Sequence, residues 1–357
     1  MSDPLAAFAG SYAEARAKFL DAAQTAGAAL TGYPHDDPTL GTDVAVLGPA
    51  DAPRRLVMIS GTHGVEGFAG SAVLIDRLRR DDGPDDLAIV MVHAINPWGF
   101  AHLSRCTEGN VDLNRNFVDH AAPHPENPGY GALHEVLCPA CWDDGARAAF
   151  HASGQAYAAE GKRRAWIDAI MRGQYSHPDG LNFGGRAAEW SNRTLRAIAA
   201  RHLRGAEVLV LIDWHTGLGA YGAASVLCLD PPESAAYARA REMFGAEIDA
   251  VAKLFEGEER PRYTGLLLDA ARAEAGARTA IACAIEFGTR PLEPMIEAIL
   301  LDRWLRLAAP AALPERDALA AEVKETFAPG DPAWQRAVID AGEKLIKRAA
   351  DWLSSQR

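Results

Sequence analysis

The chain has 357 residues, 48% of them hydrophobic and 24% charged, with a formal net charge of -12. That length buries a large core, and the composition is that of an ordinary globular protein. The acidic balance argues against a duplex nucleic-acid binder, which needs a basic footprint, but not against a small anionic substrate that a few local arginines can hold.

The opening segment, MSDPLAAFAGSYAEARAKFL, has no basic region followed by an unbroken apolar run. No secretory leader is read, and a cytoplasmic location is expected. Nothing approaches the ~18 consecutive apolar residues of a membrane span. Five scattered cysteines, an odd number, fit reduced thiols rather than a disulfide framework.

Residues 4–30 are alanine-rich, with Phe8, Tyr12, Phe19 and Leu20 at helical spacing. Segments 43–47 (DVAVL) and 55–60 (RLVMIS) predict strands, 61–67 a turn and 68–80 a helix. Another buried strand, 87–94 (LAIVMVHA), leads into a loop over 95–118. Pro123, Pro125, Pro128 and Pro139 break the next stretch, and 143–172 then has helix-forming composition. A helix at 190–204, strands at 208–213 (VLVLID) and 224–229, and helices at 235–255 and 265–275 follow. A strand at 279–287, a helix at 293–307 and a helical tail from 314, amphipathic over 334–353, complete the series.

Apolar strands alternating with helices predict an α/β fold: a mixed, mostly parallel central sheet flanked by helices. No linker divides the chain. Residues 1–357 are expected to form a single domain, with 119–185 as an irregular, helical insertion and 314–357 as C-terminal helices.

The segments bearing histidine and carboxylate follow the strand ends, the edge at which open α/β sheets bind ligands. RLVMIS runs into GTHGVEG (61–67), where His63 and Glu66, three apart at the start of a helix, can reach one ion; H-x-x-E is weak by itself and gains weight from its place at a strand-to-helix switch. The flanking glycines allow a sharp turn. After strand 208–213, DWHTG (213–217) offers His215 as a further ligand with Asp213 placed to orient its ring, or, read by itself, a core histidine near a turn. Two histidines and a glutamate leave one position of a tetrahedral zinc for water.

Glu286 ends the otherwise apolar strand TAIACAIEF, where burial raises a carboxyl toward a general base's range. The plainer alternative is a strand-end ion pair with Arg290. NPWGF (96–100), Arg105 and NVDLNRNF (110–117) put two arginines and several asparagines just past a buried strand. They read as groups for carboxylates and oxyanions, or as a solvated loop. Cys138-Pro-Ala-Cys141 is a lone C-x-x-C, read as two packed thiols. Residues 174–185 form a structured loop that either overhangs the site or merely connects. His93 reads as a core histidine, and His120, His124 and His134 show no ligand spacing.

In order, HGVEG, NPWGF…R…DLNRNF, DWHTG and IEFGT resemble the M14 zinc carboxypeptidase superfamily, which includes carboxypeptidase A and aspartoacylase-like deacylases. More narrowly, SGTHGVEGFAGSA with WHTGLG and EFGT resembles the bacterial DUF2817 family. The motifs cover roughly residues 55–290. The resemblance implies a carboxypeptidase-like fold and one zinc per chain, held by His63, Glu66 and His215, with Glu286 as the base that activates water. It implies Arg105 as the oxyanion stabiliser, although the interval to Asn114 is shorter here than in the digestive enzymes. Asn114 and Arg115 match the pair that grips the substrate's terminal carboxylate. Tyr263 matches, on spacing and the following Gly265 alone, the mobile tyrosine that covers the substrate.

The activity expected is cleavage of an amide bond next to a carboxylate-bearing residue in a small molecule or short peptide. The alternatives are an N-acyl amino acid deacylase of the aspartoacylase type and a non-catalytic metal-binding module. Glu286 and Arg105 argue against the last, since neither is needed simply to hold zinc. Cobalt or nickel would fit the same ligands.

Overall fold

A computed structural model of the chain describes residues 3–80, 86–245, 247–248 and 263–356. Seven strands form one sheet: β1 (Ala29–Pro34), β2 (Gly41–Leu47), β3 (Arg54–Ser60), β4 (Ala88–His93), β5 (Val208–Gly217), β6 (Ala224–Cys228) and β7 (Thr279–Gly288). Their spatial order is β1-β2-β4-β3-β5-β7-β6. The neighbours β4–β3–β5–β7 pair in parallel, whereas β1–β2, β2–β4 and β7–β6 are antiparallel. The expected mixed sheet, most of its strands running one way, is therefore present.

The helices are, in chain order, α1 (Tyr12–Thr25), α2 (Gly67–Leu78), α3 (Pro97–Ala101), α4 (His134–Leu137), α5 (Asp144–Ala159) and α6 (Arg163–Met171). After them come α7 (Trp190–His202), α8 (Ala235–Phe244), α9 (Leu267–Ala275), α10 (Leu292–Leu307), α11 (Arg316–Phe327) and α12 (Pro332–Ser355). Alternate strand residues face opposite ways, so each face of the sheet needs its own cover. Leu56, Met58, Ile89, Met91, Val210 and Ile212 pack under α1, α2, α8 and α12. Their neighbours Val57, Ile59, Val90, Val92, Leu209 and Leu211 pack against α7 and α9. Burial on both faces is why these strands read as continuous apolar runs. A further apolar cluster gathers α5, α6, α10 and α11 around Trp166, Phe150 and Trp304.

Four sequence expectations need correction. The opening helical stretch ends at Thr25, and Ala29–Pro34 is an edge strand paired with β2. That strand is only partly buried, so its sequence ALTGYP carries no apolar run. The single helix expected over 143–172 is two, because the N–H groups of Glu160 and Lys162 close onto Ala156 O and Tyr157 O and end α5. β5 runs four residues past Asp213, to Gly217, so His215 stands within a strand rather than after one. The helix expected over 235–255 is seen to Phe244, and most of the remainder lies outside the described residues.

Candidate metal centre

Four adjacent parallel strands deliver the site. β3 ends at Ser60 and turns through Gly61, which holds φ +71°, a conformation that disfavours a side chain. His63 then caps a short 3-10 turn, Gly64–Glu66, that leads directly into α2. The turn lies tight against α3: a Cβ on Gly64 would sit 2.0 Å from the carbonyl carbon of Gly99, so only glycine fits. On the neighbouring strand β5, His215 is in register with Glu286 of β7, so the two side chains leave the same face of the sheet. The loop after β4 brings Arg105, Asp112, Asn114 and Arg115 to the same edge.

Ligating atoms of His63, Glu66 and His215 all lie within 4.8 Å of one another. Among the described residues this is the one group of three or more His, Cys, Asp or Glu side chains that converges so closely. His63 Nδ1 is 2.8 Å from Glu66 Oε1, and His215 Nδ1 is 2.9 Å from Glu66 Oε2. All three residues are buried.

Each imidazole is fixed from behind. His63 Nε2 donates to Asp112 Oδ1 (3.1 Å), and His215 Nε2 donates to Asp213 Oδ2 (2.7 Å). A carboxylate can only accept, so these bonds put a ring hydrogen on each Nε2; His215 Nδ1 in turn donates to Glu66 Oε2 at 2.9 Å, and a cation bound between them would take the place of that proton. Asp213 and His215, two apart on β5, share a face, and Thr62 Oγ1 holds the other Asp213 oxygen at 2.7 Å. Despite its short distance to Glu66, His63 Nδ1 lacks hydrogen-bond geometry and is a buried nitrogen without a hydrogen-bond partner. A buried acceptor left in that way, beside a second imidazole and a carboxylate, fits a divalent cation such as zinc.

The electrostatics are those of densely packed opposite charges. Burial opposes ionisation of Glu66, but His63 and His215 hold its carboxyl far below the usual range. Burial likewise opposes a charge on His215, yet Asp213 and Glu66 push it well above the ordinary histidine value. Asp112 is buried too and is held low by Arg105, Arg115 and His63. Glu286 behaves oppositely: burial among these groups pushes it up to about 7, with Leu218 N at 3.4 Å from Oε2. Its side chain keeps some exposure, unlike the three candidate ligands.

Arg105 donates through Nη1 to Glu66 Oε1 and through Nη2 to Asp112 Oδ2, both at 3.0 Å, and its Nε is buried without a hydrogen-bond partner. Asn114 Nδ2 lies 3.5 Å from His215 Nε2, while its Oδ1 accepts from Leu267 N at the start of α9. The Arg115 guanidinium donates to Asn114 O and Met171 O, each 2.7 Å away, and stacks 4.8 Å from the centre of the Tyr263 ring. The eight candidate site residues, His63, Glu66, Arg105, Asn114, Arg115, His215, Tyr263 and Glu286, thus lie in one neighbourhood, although Arg105, Asn114 and Arg115 already have partners there.

The sequence reading missed Asp112 and Thr62 as supports, though Asp112 sits inside the DLNRNF motif and Thr62 beside His63. It also left open the part played by 174–185. That loop laces onto the arginine loop: Asp112 N donates to Phe183 O (2.8 Å), Tyr175 OH to Arg115 O (2.5 Å), and Asn116 Nδ2 to Gly184 O (2.9 Å). It is the bed on which Asp112 and Arg115 rest. His93 is fully buried, with Nε2 2.8 Å from Ser71 Oγ and its ring stacked on Phe19.

Residues 8–341 match the family described as "Protein of unknown function (DUF2817)", and the chain belongs to that family. No curated protein sequence matches it. Solved structures of similar shape include carboxypeptidase A from Helicoverpa armigera, 15% identical, with 89% of this chain and 74% of that one covered and a TM-score of 0.46. Bovine thrombin-activatable fibrinolysis inhibitor, in complex with tick carboxypeptidase inhibitor, is 10% identical over 95% of this chain and 98% of its own, with a TM-score of 0.43. A succinylglutamate desuccinylase/aspartoacylase from Rhodobacter sphaeroides is 12% identical over 81% and 67%, with a TM-score of 0.37.

Proposed function

We propose that this DUF2817 protein is a zinc-dependent hydrolase that cleaves an amide bond next to a carboxylate-bearing residue. The observation that carries the reading is the convergence of His63 Nδ1, His215 Nδ1 and Glu66 on one point, with both imidazoles pinned by buried carboxylates and Glu286 opposite His215. Zinc at that point supplies, when bound, polarisation of the scissile carbonyl and a more acidic water.

The chain's own groups do the rest. Glu286, poised near neutrality and partly open, takes a proton from the attacking water and returns it to the leaving nitrogen. Arg105, buried and permanently charged, faces the oxygen on which negative charge develops; Glu66 and Asp112 engage one N–H on each Nη, which leaves the Nε–H and a second N–H on each Nη to donate. Arg115, carried on the loop that 174–185 supports, orients the substrate's carboxylate, with Asn114 beside it and Tyr263 across its face. No described helix is long and apolar enough to cross a membrane.

A panel of free dipeptides, C-terminally amidated dipeptides and N-acyl amino acids, assayed with metal-stripped and zinc-restored protein, tests the reading. Zinc-dependent turnover that needs a free carboxylate is expected. Preference for N-acyl amino acids over dipeptides would assign the deacylase alternative, and zinc-independent turnover or none on any amide would refute the proposal.

A further inference from the structure

The short segment that carries Arg105 is caught between two elements. On one side it receives the turn that holds two of the candidate ligands: Val65 N donates to Ser104 O (2.9 Å) and Gly64 N to Arg105 O (3.3 Å). On the other side stands α10, whose Asp302 Oδ2 accepts from Arg105 N (3.0 Å) and from Ser104 Oγ (3.5 Å). Asp302 is only 4% exposed, and Arg306, one helical turn further on, donates through Nε to its other oxygen at 3.0 Å. The carboxylate is therefore held at both oxygens. A charged acceptor on a buried N–H is also among the stronger hydrogen bonds a protein makes.

We infer that Asp302 is a positioning residue for Arg105. It fixes the main chain at 104–105 and, through it, the direction from which the Arg105 guanidinium enters the site between Glu66 and Asp112. Asp302 belongs to none of the motifs that mark the site and lies 16 residues beyond Glu286. Without its carboxylate the Arg105 N–H loses its partner in a buried place, and the segment is free to settle elsewhere. A charge donor displaced by a fraction of an ångström stabilises a developing charge less well, while substrate binding elsewhere in the site is little affected. The effect on turnover rests on the hydrolase reading; the hold on the main chain does not.

Asp302→Asn in the full-length, zinc-loaded protein tests this, because it keeps the shape and removes the charge. Amide hydrogen exchange at Arg105 is expected to speed up about tenfold or more with zinc content unchanged, since the bond that protects this N–H is weakened. On a substrate from the amide panel, kcat is expected to fall about tenfold while KM stays within about twofold. Added to Arg105→Ala, Asp302→Asn is expected to cost nothing more, as befits two residues acting through one guanidinium. Unchanged exchange at Arg105, a raised KM with kcat intact, or a full additional loss in the Arg105→Ala background would overturn the inference. If the wild-type protein turned over no amide, the hydrolase reading would fail while the exchange result still decided whether Asp302 holds Arg105. If Asp302→Asn did not fold, Asp302→Glu, which keeps the charge for Arg306 and shifts the segment, would be read in the same ways.

Discussion

His63, Glu66 and His215 hold much the same residue types as His134, His177, Asp179 and Cys138 in the 119–185 segment, and the two groups differ in what stands behind them. In the second group the rings of His134 and His177 lie 4.2 Å apart, His134 Nδ1 is 3.6 Å from Cys138 Sγ, and His134 Nε2 is 3.6 Å from Asp179 Oδ2. The Asp179 side chain is 58% exposed and is shared with Arg303, and both nitrogens of His134 are already engaged, Nδ1 by Cys138 and Nε2 by Asp179. In the first group each Nε2 is bonded to a carboxylate that is itself buried and held, so both Nδ1 atoms are left to converge. Proximity gathers histidines; buried partners on the far nitrogens aim them.

Removing a converging group should have the largest effect. His63→Ala or His215→Ala is expected to abolish stoichiometric zinc binding and turnover together, read by elemental analysis and the amide assay. Stoichiometric zinc in both variants would mean that the ligands are elsewhere. Next comes Glu286→Gln, which should keep zinc and lower kcat by about 10²–10⁴-fold, the range for a lost general base. Near-normal turnover in that variant would assign the base to another group.

The aiming carboxylates come third. Asp213→Asn is expected to weaken zinc about 10–100-fold without unfolding the protein, as loss of a ligand's outer partner typically does. A competition titration with a chelator would show it, and unchanged affinity would make Asp213 merely structural. At the other end of the scale, His134→Ala with His177→Ala should leave zinc content as it was. Loss of zinc from that double variant would promote the second group to a site.

A smaller effect concerns a histidine that neither group uses. Burial pushes His93 down to about 3, whereas an unfolded chain's histidine titrates near about 6.5. Between those values the unfolded state binds the extra proton, so stability falls as pH drops from about 6.5 toward 3, by at most about 1.4 kcal/mol per unit from this one group. His93→Gln should flatten that slope in denaturant titrations at pH 7 and pH 5. Parallel curves for the two proteins would show that His93 does not contribute.

Much of the candidate site was legible because its residues interrupt apolar strands or follow them closely: Glu286 within TAIACAIEF, His215 just past VLVLID in the same strand, His63 and Glu66 after RLVMIS. A polar group where packing calls for Val or Ile is a local signal. The edge strand β1 left no such mark, since partial exposure removes the pressure for an apolar run. Nor could spacing reveal that Arg105 is tied to Glu66 and Asp112, or that Asp302 lies against its main chain 197 residues away in sequence. Those contacts are set by how α10 and the 174–185 loop pack on the strand ends, and only the folded chain brings them together.

The most direct test of the account is the zinc content of the purified protein after saturation and dialysis, with the His63→Ala variant measured alongside. One zinc per wild-type chain and none in the variant is the expected result. No zinc in the wild type, or equal zinc in both, would contradict the convergence of His63, Glu66 and His215 on a metal ion.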